Sequence, residues 1–135
     1  MKIINNNIEE QKVNFTNAKL LKEKEFGVNC SMVYDFDGKI DEGGFREGGG
    51  GWRARTFNYN KTLNYACSAP TQQVAIDWIL ENFYIHIKLD RDEDMWKCEL
   101  YTINSGNRHI PTGYKNYNTP EEAKESAINH VLTCM

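Results

Sequence analysis

Between residues 68 and 83 the apolar positions recur at helical spacing. Ala75, Ile76, Ile79, Leu80 and Phe83 fall on one side, Val74 and Trp78 widen it, and only Gln73, Asp77 and Glu81 form an outward stripe. A helix with so narrow a polar face is mostly covered by other elements, so this stretch is expected to be the central helix of the fold. Pro70 has a fixed φ and no N–H to lose, which suits a first helical turn. Ser68 and Thr71 each offer a capping hydroxyl, and the pattern does not choose between them.

Downstream, the period changes from 3.6 to 2. Ile85, Ile87 and Leu89 alternate with Tyr84, His86 and Lys88, which predicts a half-buried strand. Asp90 to Asp94 reads as a charged turn. Met95 to Ile103 is the next strand, with Trp96, Cys98 and Leu100 on one face. After a turn at 104–107, His109 to Tyr117 is a third strand, and Pro111 and Gly113 place it at an edge. Thr119-Pro120-Glu121-Glu122 is a capping box with proline at the first helical position. It opens a helix to about Thr133, with Ala123, Ala127 and Val131 as its inner stripe and Ile128 and Cys134 beside it.

The front half is less regular. Residues 1–13 are polar and read as a frayed end, or as an edge strand over Lys2 to Ile4. Thr16 is the expected N-cap of a short helix from Asn17 to Glu25, with Ala18 and Leu21 inward, Leu20 at the margin, Lys19, Lys22 and Lys24 in solvent, and Gly27 as the stop. Met32 to Phe36 is an expected strand, turned by the two-residue Asp37-Gly38 into a return strand at Lys39-Ile40. Six of the nine residues from 43 to 51 are glycine, which predicts a mobile loop or a long hairpin tip. Trp52 to Cys67 resumes strand character, with a turn near Asn60-Lys61 and alternation at Leu63, Tyr65 and Cys67. The whole predicts one α+β domain over residues 1–135: an antiparallel sheet with two main helices packed on one face, plus a short N-terminal helix and a β-hairpin.

Composition narrows the classes of function. A chain of 135 residues with 40% hydrophobic content supports a real core and excludes wholesale disorder. The formal charge of −3 argues against nucleic-acid binding by bulk electrostatics. Cys30, Cys67, Cys98 and Cys134 are all at least about thirty positions apart, so no CxxC pair exists for zinc or redox chemistry. No apolar leader follows Met1, and no apolar run reaches the roughly 20 residues of a membrane span. Free thiols in a reducing cytoplasm, without a membrane partner, are the expectation.

Four features occur in order along the chain: Ala18-Lys19-Leu20-Leu21-Lys22-Glu23-Lys24, the Asp37-Gly38 hairpin, Ala69-Pro70-Thr71-Gln72 with Trp78, and the terminal Thr119-Pro120-Glu121-Glu122-Ala123 helix. In this the chain resembles a group of uncharacterised small proteins carried by phages and prophages of gut bacteria, especially Bacteroidetes. It departs from that group at Glu25, where the group usually has glycine, and at residues 43–51, which look like an insertion. The resemblance implies a mobile-element accessory protein in the cytoplasm of a bacterial host, and brings no catalytic residues with it.

The residues themselves supply no recognisable catalytic set. His86, His109 and His130 lie outside any HExxH pattern, and no Gly-x-Ser-x-Gly elbow occurs. Asp90, Asp92 and Asp94 match the opening ligands of a calcium loop, but Met95 replaces its glycine and Tyr101 its bidentate glutamate. Gly51 is followed by Trp52-Arg53 where a phosphate-binding loop needs Lys-Ser/Thr. No catalytic residue, metal or cofactor is therefore assigned. The segment with binding chemistry is Trp52-Arg53-Ala54-Arg55-Thr56-Phe57-Asn58-Tyr59. If extended, it puts Arg53, Arg55, Phe57 and Tyr59 on one face, two guanidiniums beside two rings, able to hold phosphate and stack a base. An ordinary strand with its rings in the core and its arginines in water is the bland alternative. Trp52, Arg53, Arg55, Phe57 and Tyr59 are thus the expected contact residues for a host protein or a small nucleotide signal, in a counter-defence role. Three alternatives stay open: an RNA-binding αβββα module, opposed by Glu121 and Glu122 where such a domain needs basic residues; an enzyme of unrecognised type; and a minor virion component.

Overall fold

The computed structural model describes residues 10–46, 50–103, 106, 108–110 and 115–134. The expected Lys2–Ile4 strand lies outside them. In chain order they form α1 (Phe15–Glu23), β1 (Met32–Tyr34), β2 (Ile40–Glu42), β3 (Gly44–Arg46), β4 (Trp52–Ala54), a 3-10 turn (Tyr59–Lys61), β5 (Cys67–Ser68), α2 (Gln72–Phe83), β6 (Ile85–Asp92), β7 (Met95–Thr102), β8 (Arg108–Ile110) and α3 (Pro120–Cys134). The chain is an α+β fold with antiparallel sheets in the orders β2-β1-β5, β3-β4 and β6-β7-β8.

Thr71 is the N-cap of α2, its hydroxyl accepting from the Val74 N–H at 3.2 Å. Pro70 therefore precedes the cap rather than opening the helix. Ala75, Ile76 and Ile79 are buried, and Gln73, Asp77 and Glu81 are exposed, as their spacing predicts. The helix stops at Tyr84, whose left-handed backbone (φ 57°) turns the chain directly into β6. β6 runs three residues further than the alternation suggests, and only Glu93-Asp94 remain as the turn into β7. Pro120 starts α3, and Thr119 caps it through the Glu122 N–H at 3.1 Å. Both α2 and α3 pack on the β6-β7-β8 sheet, burying Ile85, Ile87, Cys98 and Leu100 against Ile79, Ala127, Ile128 and Val131. Each such aliphatic side chain contributes about 1.5–3 kcal/mol by leaving water.

The front half departs further from its pattern. Asn14, not Thr16, caps α1, accepting from the Asn17 N–H at 2.8 Å. Chain reversal after α1 falls at Glu25 (φ 67°), two residues before the expected stop at Gly27. β1 ends at Tyr34, and the hairpin turn takes three residues rather than two. The Gly38 N–H donates to the Asp35 carbonyl at 3.0 Å, and Gly38 (φ 82°) supplies the left-handed residue of that turn type. Residues 63–66 are bends rather than strand, and Leu63, 92% exposed, has no face to bury. The stretch before α1 is held in place: Val13 is fully buried, its N–H donates to the Pro70 carbonyl at 2.9 Å, and the Gln72 N–H donates to the Gln11 carbonyl at 2.8 Å.

A polar knot joins the three helices. The Glu125 carboxylate on α3 accepts from the Asn14 N–H at 2.9 Å, from Gln72 Nε2 at 2.8 Å and from Asn17 Nδ2. Asn17 Oδ1 in turn accepts from Asn129 Nδ2 at 2.9 Å. Asn17 and Gln72 are buried, so these bonds offset the cost of removing their amides from water.

Candidate binding surface

The glycine-rich segment is not uniformly a loop. The Gly43 N–H donates to the Ser31 carbonyl at 2.8 Å, and the Gly43 carbonyl accepts from the Arg55 N–H at 3.0 Å. Between those anchors, β3 and β4 pair as Gly44↔Ala54, Phe45↔Arg53 and Arg46↔Trp52. Cys30 and Phe57 exchange backbone bonds of 2.9 and 3.0 Å, fixing the base of this hairpin arm to the loop after α1. Gly43 and Gly44 are both buried. A Cβ on Gly43 would lie 2.5 Å from the Tyr59 ring, and one on Gly44 would lie 2.3 Å from the Arg53 carbonyl and 2.6 Å from the Trp52 indole. Neither position has room for a side chain. The first two glycines of the run are therefore close-approach positions, and residues 43–46 belong to one arm of a hairpin, the second of the two expectations for 43–51, rather than to a mobile loop; residues 47–49 lie outside the described residues.

The arm is built on four rings. Phe45 stacks on Tyr59 (centroids 5.7 Å, 26°) and meets Phe57 edge-on (5.3 Å, 89°). Tyr59 also makes edge contacts with Phe57 (5.6 Å) and Tyr65 (5.3 Å). Its hydroxyl donates to the Arg55 carbonyl at 2.5 Å, and the Tyr65 hydroxyl donates to the Gly44 carbonyl at 3.1 Å. These ring pairs are each worth about 0.5–1.5 kcal/mol beyond their area. They give the arm a small core of its own beside the main one.

The expected single face of Arg53, Arg55, Phe57 and Tyr59 does not form. The strand β4 ends at Ala54, and beyond it Phe57 pairs with Cys30 rather than with β3. Tyr59 has no exposed surface and is structural, and Phe57, 37% exposed, is committed to its neighbours Phe45 and Tyr59. The outward set is Trp52, 47% exposed, with Arg53 and Arg55. Arg46, directly across from Trp52, is exposed too. Reading the sequence missed Arg46; the usable signal was an arginine on each side of a glycine-rich turn. Strand alternation places Arg46 with Trp52 on one face of the hairpin and Arg53 with Phe45 on the other.

Elsewhere the chemistry is thin. His86 and His109 are exposed, and His109 packs against the Tyr101 ring at 5.3 Å. His130 Nδ1 lies 4.0 Å from Cys134 Sγ at the solvent-facing end of α3. Cys30, Cys67 and Cys98 are buried thiols, each pushed up to about 11 by burial and so poor nucleophiles near neutrality. Cys30 lines a cavity of about 230 Å³ with Lys12, Thr56 and Thr71. Among the described residues no cluster of three or more His, Cys, Asp or Glu could hold a metal, and no helix is long and apolar enough to cross a membrane. No protein-family model, curated protein or solved structure matches the chain.

Proposed function

We propose that this chain acts by binding rather than by catalysis, as an accessory protein of a phage or prophage in the cytoplasm of its host. Its β3-β4 arm is the contact surface and an acidic host-protein surface is the partner. One observation carries the reading. Trp52 and three arginines, Arg46, Arg53 and Arg55, face solvent on a hairpin held rigid by four packed rings. Tryptophan and arginine are the residues most often found as anchors of protein interfaces, and a rigid support lowers the entropy lost on binding. The small-nucleotide reading is weaker. A small ligand is bound in a concave site, and Tyr59 and Phe57, the rings expected to stack a base, are used inside the arm.

The RNA reading has one observation in its favour. From α2 through β6, β7 and β8 to α3, the order is αβββα with both helices on one face of the sheet. Against it, the exposed Glu121 and Glu122 at the start of α3 would repel phosphates.

Affinity capture from host lysate, run with wild type and with R53E/R55E, tests the proposal. A partner held by the wild type and lost by the folded double variant supports it. Equal capture by both, or heat on titration with nucleotides in the absence of any captured protein, contradicts it. Retarded duplex RNA at ~150 mM salt would transfer the reading to nucleic acid.

A further inference from the structure

β6 is eight residues long and pairs with β7 in unbroken register from Ile85↔Thr102 to Asp92↔Met95. Among the described residues no strand pairs with its other side. The phase of that open edge can be read. The Tyr84 carbonyl accepts from the Ile103 N–H at 3.0 Å. Antiparallel ladders alternate, so His86, Lys88 and Asp90 turn their backbone groups to β7, while Ile85, Ile87, Leu89 and Arg91 turn theirs outward. The Arg91 N–H agrees, being taken by the Asp90 side chain at 3.0 Å rather than by a β7 carbonyl. An edge of this length without proline or bulge is a ready template for another strand.

We infer that β6 forms the interface of a two-fold dimer, adding antiparallel to β6 of a second copy so that two three-stranded sheets become one. Charge selects the register. Only residues with outward backbone groups can make the new hydrogen-bonded pairs, so a register with at least two of them puts the two-fold axis on 86, 87, 88, 89 or 90, and centring on His86 sets His86 against itself. Centring on Ile87 sets His86 against Lys88. Centring on Lys88 sets Lys88 against itself, and centring on Asp90 sets Asp90 against itself. Centring on Leu89 sets Lys88 against Asp90 of the second copy, twice by symmetry, with Leu89 against Leu89. That register makes about six new backbone hydrogen bonds, two at each of three pairs. In it the Arg91 N–H exchanges the Asp90 carboxylate for the Ile87 carbonyl of the second copy, and the released carboxylate meets Lys88 across the axis. On the helix side, half-buried Leu80 and Leu89 border a groove of about 290 Å³ between α2 and β6. Leu89 of the second copy extends that apolar wall.

Sedimentation equilibrium up to about 0.2 mM tests this, a range that populates dimers with micromolar Kd. The wild type dimerises. K88D and D90K each weaken the dimer about tenfold or more, since each turns two attractive cross-strand pairs repulsive. K88D/D90K restores it to near the wild-type Kd. Lys88 is exposed and Asp90 half-buried, and far-UV circular dichroism checks that each variant is folded. A wild type that stays monomeric, a dimer indifferent to either reversal, or a double variant no stronger than the singles overturns the inference.

Discussion

The indole of Trp52 lies across Gly44, close enough that a methyl group there would overlap its ring at 2.6 Å. The largest exposed side chain of the arm is thus positioned by a residue with no side chain. G44A should displace Trp52 and open the β3-β4 pairing, and G43A should drive out the Tyr59 ring. Overpacking of this kind costs about 1–3 kcal/mol. Urea midpoints with tryptophan fluorescence check both. Variants as stable as the wild type would show that the arm has slack.

The Glu125 knot makes a sharper prediction. E125Q keeps the shape but replaces one accepting oxygen with an NH₂ that faces donors from Asn17, Asn14 or Gln72. Leaving buried donors unmet costs about 1–3 kcal/mol each, more for groups bonded to a charge. The expected urea midpoint for E125Q is well below that of E121Q, which lies on the exposed side of the same helix. Equal midpoints would mean that water satisfies the knot.

Burial raises the thiols of Cys30, Cys67 and Cys98 to about 11 in the folded chain. A raised folded pKa contributes stability that is complete below the unfolded value, near pH 9, and is lost as pH rises through about 11. Stability should therefore fall across that window, with ultraviolet thiolate absorbance appearing late in the native protein. At pH 8 a thiol reagent should react quickly with the exposed Cys134 alone, and with the other three only after unfolding. Four fast thiols would contradict the packing.

Two non-glycine residues hold left-handed backbone at helix ends: Glu25 after α1 and Tyr84 after α2. That conformation costs an L-residue roughly 1–2 kcal/mol relative to glycine. E25G should raise stability by about 1 kcal/mol, since Glu25 is exposed and loses little contact. Thermal and urea denaturation measure it. A destabilised E25G would show that the side chain is worth more than the strain.

The elements legible in the sequence are those whose signals are local. α2, α3 and the β6-β7 hairpin follow from an apolar period, a cap and an alternation spread over many residues, and they pack as expected. α1 starts early because Asn14 and Thr16 are both good caps, and tertiary contacts favour the earlier one: Phe15 packs on Tyr34 and over Gly38, and the Asn14 N–H reaches Glu125. The Asn17–Glu125 contact joins residues 108 positions apart, and no pattern along the chain announces it. The arm misleads in the same way. Gly43 and Gly44 read as flexibility, because their role as close-approach positions exists only once Tyr59 and Trp52 arrive. Tyr59 reads as a stacking surface, because nothing local says that Phe45 and Tyr65 will enclose it.

The most direct measurement of the binding reading is site-specific photo-crosslinking. A benzophenone amino acid is placed at position 52 in one version and at position 63, which is 92% exposed and lies outside β3 and β4, in another. Both are irradiated in host lysate and the products identified by mass spectrometry. The account predicts one protein joined through position 52, at an acidic surface, absent from the position-63 sample and lost when R53E/R55E is added to the position-52 version. Crosslinks from position 63 alone, or the same crosslinks with and without the arginine changes, would contradict it.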